Sequence, residues 1–212
     1  MMAPRKGYFY LPGRLYDVGF SGILAPVRRR VAREIDSRDL YPCLDICCGT
    51  ASQLHILRET AERGGFAVGI DKSFRMIRYG RAVSPFLPVV NGDAFRLPFK
   101  AGVFKCVTVS FALHDKPAYG RTAMVGEAKR VLAAGGEIIL VDFERPWDKA
   151  SRRGALLTNS LEWFARGSHY DNGRDFLRRG GLRGFMAEHG FEERWRRDVP
   201  AGSLAIVGAA PK

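Results

Sequence analysis

Three carboxylates, Asp45, Asp71 and Asp93, each stand in or just after a short apolar run, and each is accompanied by residues that suit a different partner. Asp45 lies in CLDI, ahead of CCGTAS, a turn of small side chains that opens a helix whose free N–H groups favour negative charge. Small residues there let a ligand reach the backbone. Asp71 closes AVGID about twenty residues further on, where an acidic side chain can accept both hydroxyls of a ribose. Asp93 sits in NGDAFRLPF with Phe95 beside it, a carboxylate to accept an amino group next to a flat ring. A sugar and an aromatic base would each find a partner.

These side chains converge only if the chain folds to bring the ends of its apolar runs together. CLDICC, FAVGID, FLPVVN, VFKCVTVSF and GEIILVDF read as strands apolar on both faces, as a parallel sheet covered by helices requires. Between them, SQLHILRETAERG ends at a Gly pair suited to a C-cap and SFRMIRYGRAV opens on a Ser that can cap it. PAYGRTAMVGEAKRVLAAGG has Pro near its start and Gly-Gly past its end. This alternation predicts an α/β doubly wound sheet with right-handed crossovers, which binds ligands outside the carboxyl ends of its strands, where the strand order reverses. FEERWRRDV and SLAIVGAA read as an antiparallel hairpin closing one sheet edge. Residues 1–40 are expected to form a helical cap segment lying outside the sheet, and residues 41–212 the binding domain, with a helical substrate-cover insertion at about 147–188.

At 212 residues, 46% apolar and 26% charged, the chain has the size of one well-buried α/β core and the composition of a globular protein. No apolar run approaches the roughly 20 residues needed to cross a bilayer, and MMAPRKGYFYLPGR lacks the apolar centre of a signal peptide. The cytoplasm is therefore the expected compartment. Cys43, Cys47, Cys48 and Cys106 form no Cys-x-x-Cys pair, which argues against a disulfide framework. Adjacent Cys47 and Cys48 on a strand end point to opposite sides, and no second Cys or His pair has zinc spacing, so no metal is expected. The net charge of +12 attracts anions, nucleic acid or acidic lipid headgroups. Its Arg clusters, such as Arg28, Arg29 and Arg30, or Arg194, Arg196 and Arg197, also read as solvated helix faces.

Taken in order, the three strand ends resemble the class I S-adenosylmethionine-dependent methyltransferase family, over about Cys43 to Phe143. LDICCGTAS is similar to that family's first motif, GIDKSFRM to its second, and NGDAFRLPFKAGVFKCVTVSFALHD to its third and fourth, while EAKRVLAAGGEIILVDFERP matches its helix-turn-strand signature. The resemblance implies a Rossmann-like, seven-stranded sheet, mostly parallel with an antiparallel C-terminal hairpin strand and helices on both faces. It implies S-adenosylmethionine as cofactor and S-adenosylhomocysteine as product. By resemblance Asp45, Gly49 and Thr50 line the methionine end, Asp71 the ribose, and Asp93 with Ala94 and Phe95 the adenine, while Cys47, Cys48, Lys72 and Met76 also belong to the implied cofactor site. Ser110 and Phe111 complete the implied cofactor set. The family usually has Gly or Ala where Cys47 stands and Gly where Ala51 stands, so this loop keeps small side chains but gives up backbone freedom.

LYDVGF, CCGTA and VDFERP look most similar to the ubiquinone and menaquinone biosynthesis C-methyltransferases and their small-molecule relatives. That group usually continues the fourth strand with Gly-Leu-Arg-Asn, where Ala112, Leu113, His114 and Asp115 stand here. The expected acceptor is a small molecule of quinone, phenol or prenylated aromatic type, and an anionic membrane surface would suit the basic chain. If its hydroxyl must be deprotonated, His114 and Asp115 are candidates by position, although His114 also reads as a hydrogen-bonded loop residue and Asp115 as a helix cap. GSHYDN lies between two expected helices of the insertion, where His169 and Tyr170 could touch the acceptor or be ordinary loop residues. Tyr8, Phe9, Tyr10, Tyr16 and Phe20 suit either a pocket wall or a segment packed on the sheet. An RNA methyltransferase is the alternative that the charge raises, but no Asn/Asp-Pro-Pro-aromatic motif stands at SFALHD, and nucleic acid is the less favoured partner. A non-catalytic relative is the other alternative, resting on Ala51 alone. Oligomeric state is not legible in the sequence.

Overall fold

Strands that are apolar on both faces need helices on both faces, and β1 (Cys43–Ile46) shows the consequence: all of its residues are buried. The computed structural model describes residues 13–61, 65–145, 168–199 and 204–212, with side chains from Leu24 onward apart from those of residues 168, 169 and 198. After helix α1 (Gly13–Ser37) and β1 come α2 (Ser52–Thr60), β2 (Ala67–Asp71), α3 (Phe74–Val83), β3 (Val89–Asn91), β4 (Phe104–Ser110), α4 (Ala118–Val131) and β5 (Leu132–Phe143). Then follow α5 (Ser168–Arg178), α6 (Gly181–Glu188), β6 (Phe191–Asp198) and β7 (Leu204–Pro211). They form one seven-stranded sheet in the order β3-β2-β1-β4-β5-β7-β6. The first five strands pair in parallel, and β7 enters antiparallel between β5 and β6. This is the expected doubly wound sheet with its antiparallel hairpin.

The sheet divides the core in two. On one face Val27, Val31 and Ile35 of α1 pack with Leu54 and Leu57 of α2 and Ile77 of α3 over Cys43, Cys106, Ile139 and Trp195. On the other, Met124, Val125 and Ala128 of α4 join Phe176 of α5 and Leu182 and Phe185 of α6 over Leu44, Val107 and Leu140. The described half of α1 therefore covers the sheet directly. Tyr8, Phe9 and Tyr10 lie outside the described residues, as do the side chains of Tyr16 and Phe20.

Local chemistry sets the element ends. Ser73 caps α3, its Oγ accepting the Met76 N–H at 3.4 Å. The helix expected to run through to the Gly pair stops at Thr60, where Ala61 turns to an extended conformation. The strand expected to include both adjacent cysteines stops at Ile46, because Cys47 has a left-handed backbone with φ of 60°. Among the described residues no helix is long and apolar enough to cross a membrane.

Much of the basic charge is engaged inside the fold. Buried Glu34 binds Arg30, Arg38 and Arg197. Buried Glu137 lies beside Arg38 and Arg194 and accepts the Trp195 indole N–H, while the guanidinium groups of Arg38 and Arg197 lie over the same indole ring. Buried Glu144 takes Arg196 at 2.6 Å. Part of the Arg cluster at 194–197 thus neutralises carboxylates that would be costly to bury alone.

Candidate cofactor crevice and acceptor site

The strand order reverses at β1, which lies between β2 and β4, so the chain leaves neighbouring strands toward opposite faces and opens a crevice above β1. Into it projects the loop Cys47–Ala51, with φ of 60° at Cys47, 57° at Gly49 and 61° at Ala51. A left-handed conformation costs a residue with a Cβ roughly 1–2 kcal/mol, so something must hold this loop. The Cys48 N–H donates to the Ile70 carbonyl at 3.1 Å, the Ala51 N–H to the Cys48 carbonyl at 2.8 Å, and the Gly49 N–H to Asp71 Oδ2 at 2.8 Å. Phe111, just past β4, is also left-handed with φ of 55°. Strained backbone gathers at this end of the sheet.

The adjacent cysteines part across the sheet. Cys47 turns its Sγ to the Met124 sulfur at 4.0 Å, and Cys48 turns toward β2, where a Cβ added to Gly69 would lie 2.7 Å from its Sγ. All the cysteines are free thiols, and burial pushes the Cys47 thiol up to about 12. They fill space. Among the described residues no group of three or more His, Cys, Asp or Glu could hold a metal.

Helix α3 approaches the loop so closely that a Cβ on Gly80 would overlap the Thr50 carbonyl oxygen. Replacing an interior helical Gly by Ala normally stabilises by about 1 kcal/mol. Here Gly80→Ala is expected to destabilise by about 1–3 kcal/mol, because loop or helix must move, and thermal melts would read a lower midpoint. A raised midpoint would show that the helix does not brace the loop.

Asp71, at the end of β2, accepts the Ser73 N–H on Oδ1 at 2.7 Å as well as the Gly49 N–H on Oδ2. A carboxylate offers about four lone-pair sites, so it retains acceptors for further donors. Asn91 pairs with Asp71 across β2 and β3, and its side chain donates to the Asp71 and Lys72 carbonyls. Asp93 follows. Its Oδ1 accepts the Phe95 N–H at 3.0 Å and its Oδ2 the Lys72 ammonium at 2.7 Å, and these bonds, led by Lys72, hold its carboxyl below the usual range. The pair is exposed, 72% for Lys72 and 40% for Asp93, and such pairs contribute about 0–1 kcal/mol. A ligand amino group can displace it cheaply. Half-buried Phe95 sits where a Cβ on Gly120 would meet its ring at 3.0 Å, and Ala94 is buried beneath.

Asp45 is buried within β1, its Oδ1 accepting the Thr108 hydroxyl at 2.7 Å. Burial pushes its carboxyl up to about 7, against the opposing effects of the Thr108 bond and of Arg28. The Ser110 hydroxyl, at the end of β4, is buried without a hydrogen-bond partner among the described residues. Ala51 precedes α2 but offers no side-chain cap.

S-adenosylmethionine fits this donor set. Asp71 has lone pairs for two sugar hydroxyls, and Asp93 with Phe95 presents an acceptor and a ring edge for a purine. The Ser110 hydroxyl, without a partner among the described residues, and the helix start after Ala51 offer polar groups that suit an amino-acid end. Gly49 keeps the approach open, since a Cβ there would meet only the Met76 methyl, at 3.6 Å.

Past β4 the structure assembles residues that the sequence leaves apart. His114 Nδ1 lies 2.7 Å from Oδ1 of Asp142 on β5, and the His114 and Phe143 rings meet edge to face at 4.5 Å. Asp115 pairs with Lys116 and does not cap α4, whose N-cap residue is Pro117. Arg121 of α4, 3% exposed, donates to the Leu113, Lys116 and Asn172 carbonyls and to Asp175, tying this loop to α5. Asn172 reaches back to the Asp115 carbonyl at 2.8 Å. GSHYDN is therefore not a loop between helices from Ser168 onward: Ser168, His169, Tyr170, Asp171 and Asn172 are helical in α5. The His169 side chain lies outside the described residues, and Tyr170 is exposed with its ring 5.5 Å from the Arg174 guanidinium. Neither Asp142 nor Arg121 stands among the residues that the sequence singles out. A carboxylate at the carboxyl end of an apolar strand, as in LVDF, is the same signal that marks Asp71.

Residues 43–136 match the methyltransferase domain family. The demethylmenaquinone methyltransferase of Streptomyces avermitilis is 35% identical over 119 residues, which are 56% of this chain and 49% of that protein. The chain thus spans about half the length of the curated relatives it matches. Among solved structures, a SAM-dependent methyltransferase from Aquifex aeolicus superposes with a TM-score of 0.62 at 13% identity, over 94% of this chain and 98% of that one. A protein from Pyrococcus horikoshii superposes with a TM-score of 0.65 at 17% identity, over 99% and 100% of the two chains. At those identities the likeness establishes the fold, and the domain match and the curated relatives show sequence similarity over about half of the chain. Over residues 43–136 the chain is similar to a methyltransferase domain, and its sheet has the fold of S-adenosylmethionine-dependent methyltransferases.

Proposed function

We propose that this chain transfers the methyl group of S-adenosylmethionine to a small-molecule acceptor of phenol, quinol or prenylated aromatic type. The observation that carries the reading is Asp71, which holds the strained loop through the Gly49 N–H at the reversal of strand order, while the next residue, Lys72, pairs with Asp93. Bound there, S-adenosylmethionine supplies an activated methyl group on a positively charged sulfur. The chain then has to orient the reactants and exclude water. Asp45, Gly49, Thr50 and Ser110 are assigned to the amino-acid end, Asp71, Lys72 and Met76 to the sugar, and Asp93, Ala94 and Phe95 to the base. Cys47, Cys48 and Phe111 shape the wall.

The curated relatives named demethylmenaquinone methyltransferases support an aromatic acceptor. The N-terminal segment and the insertion at about 147–188 are assigned to covering it, with α5 held against the loop after β4 through Arg121. In this reading the protein works in the cytoplasm, and a prenylated acceptor would be met at an anionic membrane surface suited to the net charge of +12. Calorimetric titration with S-adenosylmethionine and S-adenosylhomocysteine is expected to show one site per chain for each. Absence of binding by both would end the proposal.

A further inference from the structure

At the edge of the sheet farthest from β6, α3 covers β2 and β3 with one side and leaves the other bare. Ile77 and Gly80 are its buried residues, and Ile77 belongs to the core beneath α1 and α2. Arg75, Arg78, Arg81, Ala82 and Val83 are exposed. Residues 72–91 hold Lys72, Arg75, Arg78 and Arg81 and no Asp or Glu. Among the described residues no carboxylate pairs with Arg75, Arg78 or Arg81, and Arg81 donates to the Val89 carbonyl at 2.8 Å. The arginines of β6 differ, since Glu137, Glu144 and Glu34 neutralise them. Large apolar side chains stand at one end of this surface: Phe66 is 58% exposed, Val83 62% and Phe86 82%. Gly69 of β2 and Val89 of β3 are register partners, and Phe66 and Phe86 each precede them by three residues, so both stand at the same end of neighbouring strands. That is the amino end, opposite the crevice, and α3 runs back to it from the end of β2. Exposed apolar side chains grouped beside unneutralised cations mark an interaction surface.

We propose that this face docks the chain on a bilayer containing anionic lipid, with the arginines of α3 on the headgroups and Phe66, Val83 and Phe86 at the boundary with the acyl chains. The inference rests on the membrane part of the proposed function and supplies the surface through which it acts. Arginine carries a fixed charge and a fork of donors that matches phosphate oxygens. Residues 83–88 offer apolar bulk and a single hydroxyl, that of Ser84, which is already bonded to His55. Such a tip suits a hydrocarbon boundary better than the hydrogen-bonding edges of nucleic-acid bases. Docked by this end, the protein keeps the crevice at the opposite strand ends clear for cofactor and acceptor.

The test is sedimentation of the full chain with vesicles of phosphatidylcholine alone and of phosphatidylcholine mixed with phosphatidylglycerol. Binding is expected to the mixed vesicles only, and it should weaken as salt is added. A basic residue at an anionic surface contributes about fivefold in affinity, so Arg75→Gln combined with Arg78→Gln should bind about 30-fold more weakly. Phe86→Ser should cost about tenfold, a loss that headgroup attraction alone would not produce. Removing the same charge from the other face of the sheet, with Arg174→Gln and Arg178→Gln on α5, should change binding by less than about threefold, because those charges lie beyond the reach of the surface field. Mixed vesicles that do not bind the unaltered chain, no loss in the α3 variant, or an equal loss in the α5 variant would overturn the inference. So would single-stranded RNA held through the same arginines while vesicles stay unbound, which would assign the face to nucleic acid. Calorimetry with S-adenosylmethionine keeps the two readings apart. Vesicle binding that fails while the cofactor still binds removes the docking face alone, and a cofactor that does not bind removes the methyl-transfer reading alone.

Discussion

Asp71→Ala is expected to weaken S-adenosylmethionine binding by about 10²–10⁴-fold, because a hydrogen bond to a charged group contributes about 1.5–3 kcal/mol and two sugar hydroxyls would each lose one. The same substitution frees the Gly49 and Ser73 N–H groups, which the carboxylate holds at 2.8 and 2.7 Å. Both lie at the crevice, where water can replace the side chain, so stability should fall by only about 1–2 kcal/mol. The two effects are separable by calorimetry well below the melting midpoint. Asp71→Asn keeps one acceptor oxygen but loses the charge, and should fall between wild type and Ala. An affinity within about threefold of wild type in the Ala variant would mean that the end of β2 does not bind the sugar.

The second large effect concerns Asp45 and depends on pH. Burial raises its carboxyl from 3.8 to about 7, so the folded protein holds a proton there across a range in which the unfolded chain has released it. The sign follows: this group costs nothing at low pH, the cost grows as pH rises from 3.8 toward 7, and it is fully present above 7. At about 1.4 kcal/mol per pKa unit the full cost is on the order of 4 kcal/mol. Asn in place of Asp45 still accepts the Thr108 hydroxyl and carries no charge. Asp45→Asn is therefore expected to match wild-type stability near pH 4 and to exceed it by about 4 kcal/mol near pH 8, read from denaturant melts. A pH-independent difference would show that Asp45 does not titrate in this way. The stabilised variant should bind S-adenosylmethionine more weakly, since Asp45 is assigned to the amino-acid end, whose ammonium would lose a charged partner. Gaining stability while losing affinity is what separates a buried functional carboxylate from a structural one.

The charge of the chain reads differently once its partners are known. From composition, a net +12 invites a nucleic-acid partner. Arg30, Arg38, Arg194 and Arg197 surround Glu34 and Glu137, and Arg196 holds Glu144. These carboxylates sit far along the chain from most of the arginines that pair with them. A count of charges carries no information about which of them meet.

Periodicity made most of the scaffold legible: runs apolar on both faces, with helical segments between, required a parallel sheet covered on both sides, and Ser73 marked the start of α3, whereas α2 stops short of its Gly pair and Gly135 and Gly136, expected past the end of α4, lie within β5. The three carboxylates at successive strand ends were equally legible, since a parallel sheet brings the carboxyl ends of its strands to one edge. Tertiary structure alone decided the remainder. Cys47 and Ala51 take left-handed backbones because hydrogen bonds to Ile70 and Asp71, on another strand, hold the loop against its own preference. His114 finds Asp142, and Arg121 finds Asp175, across 28 and 54 residues of chain. Local pattern reports how each segment prefers to fold, whereas these pairings follow from which segments the sheet sets side by side.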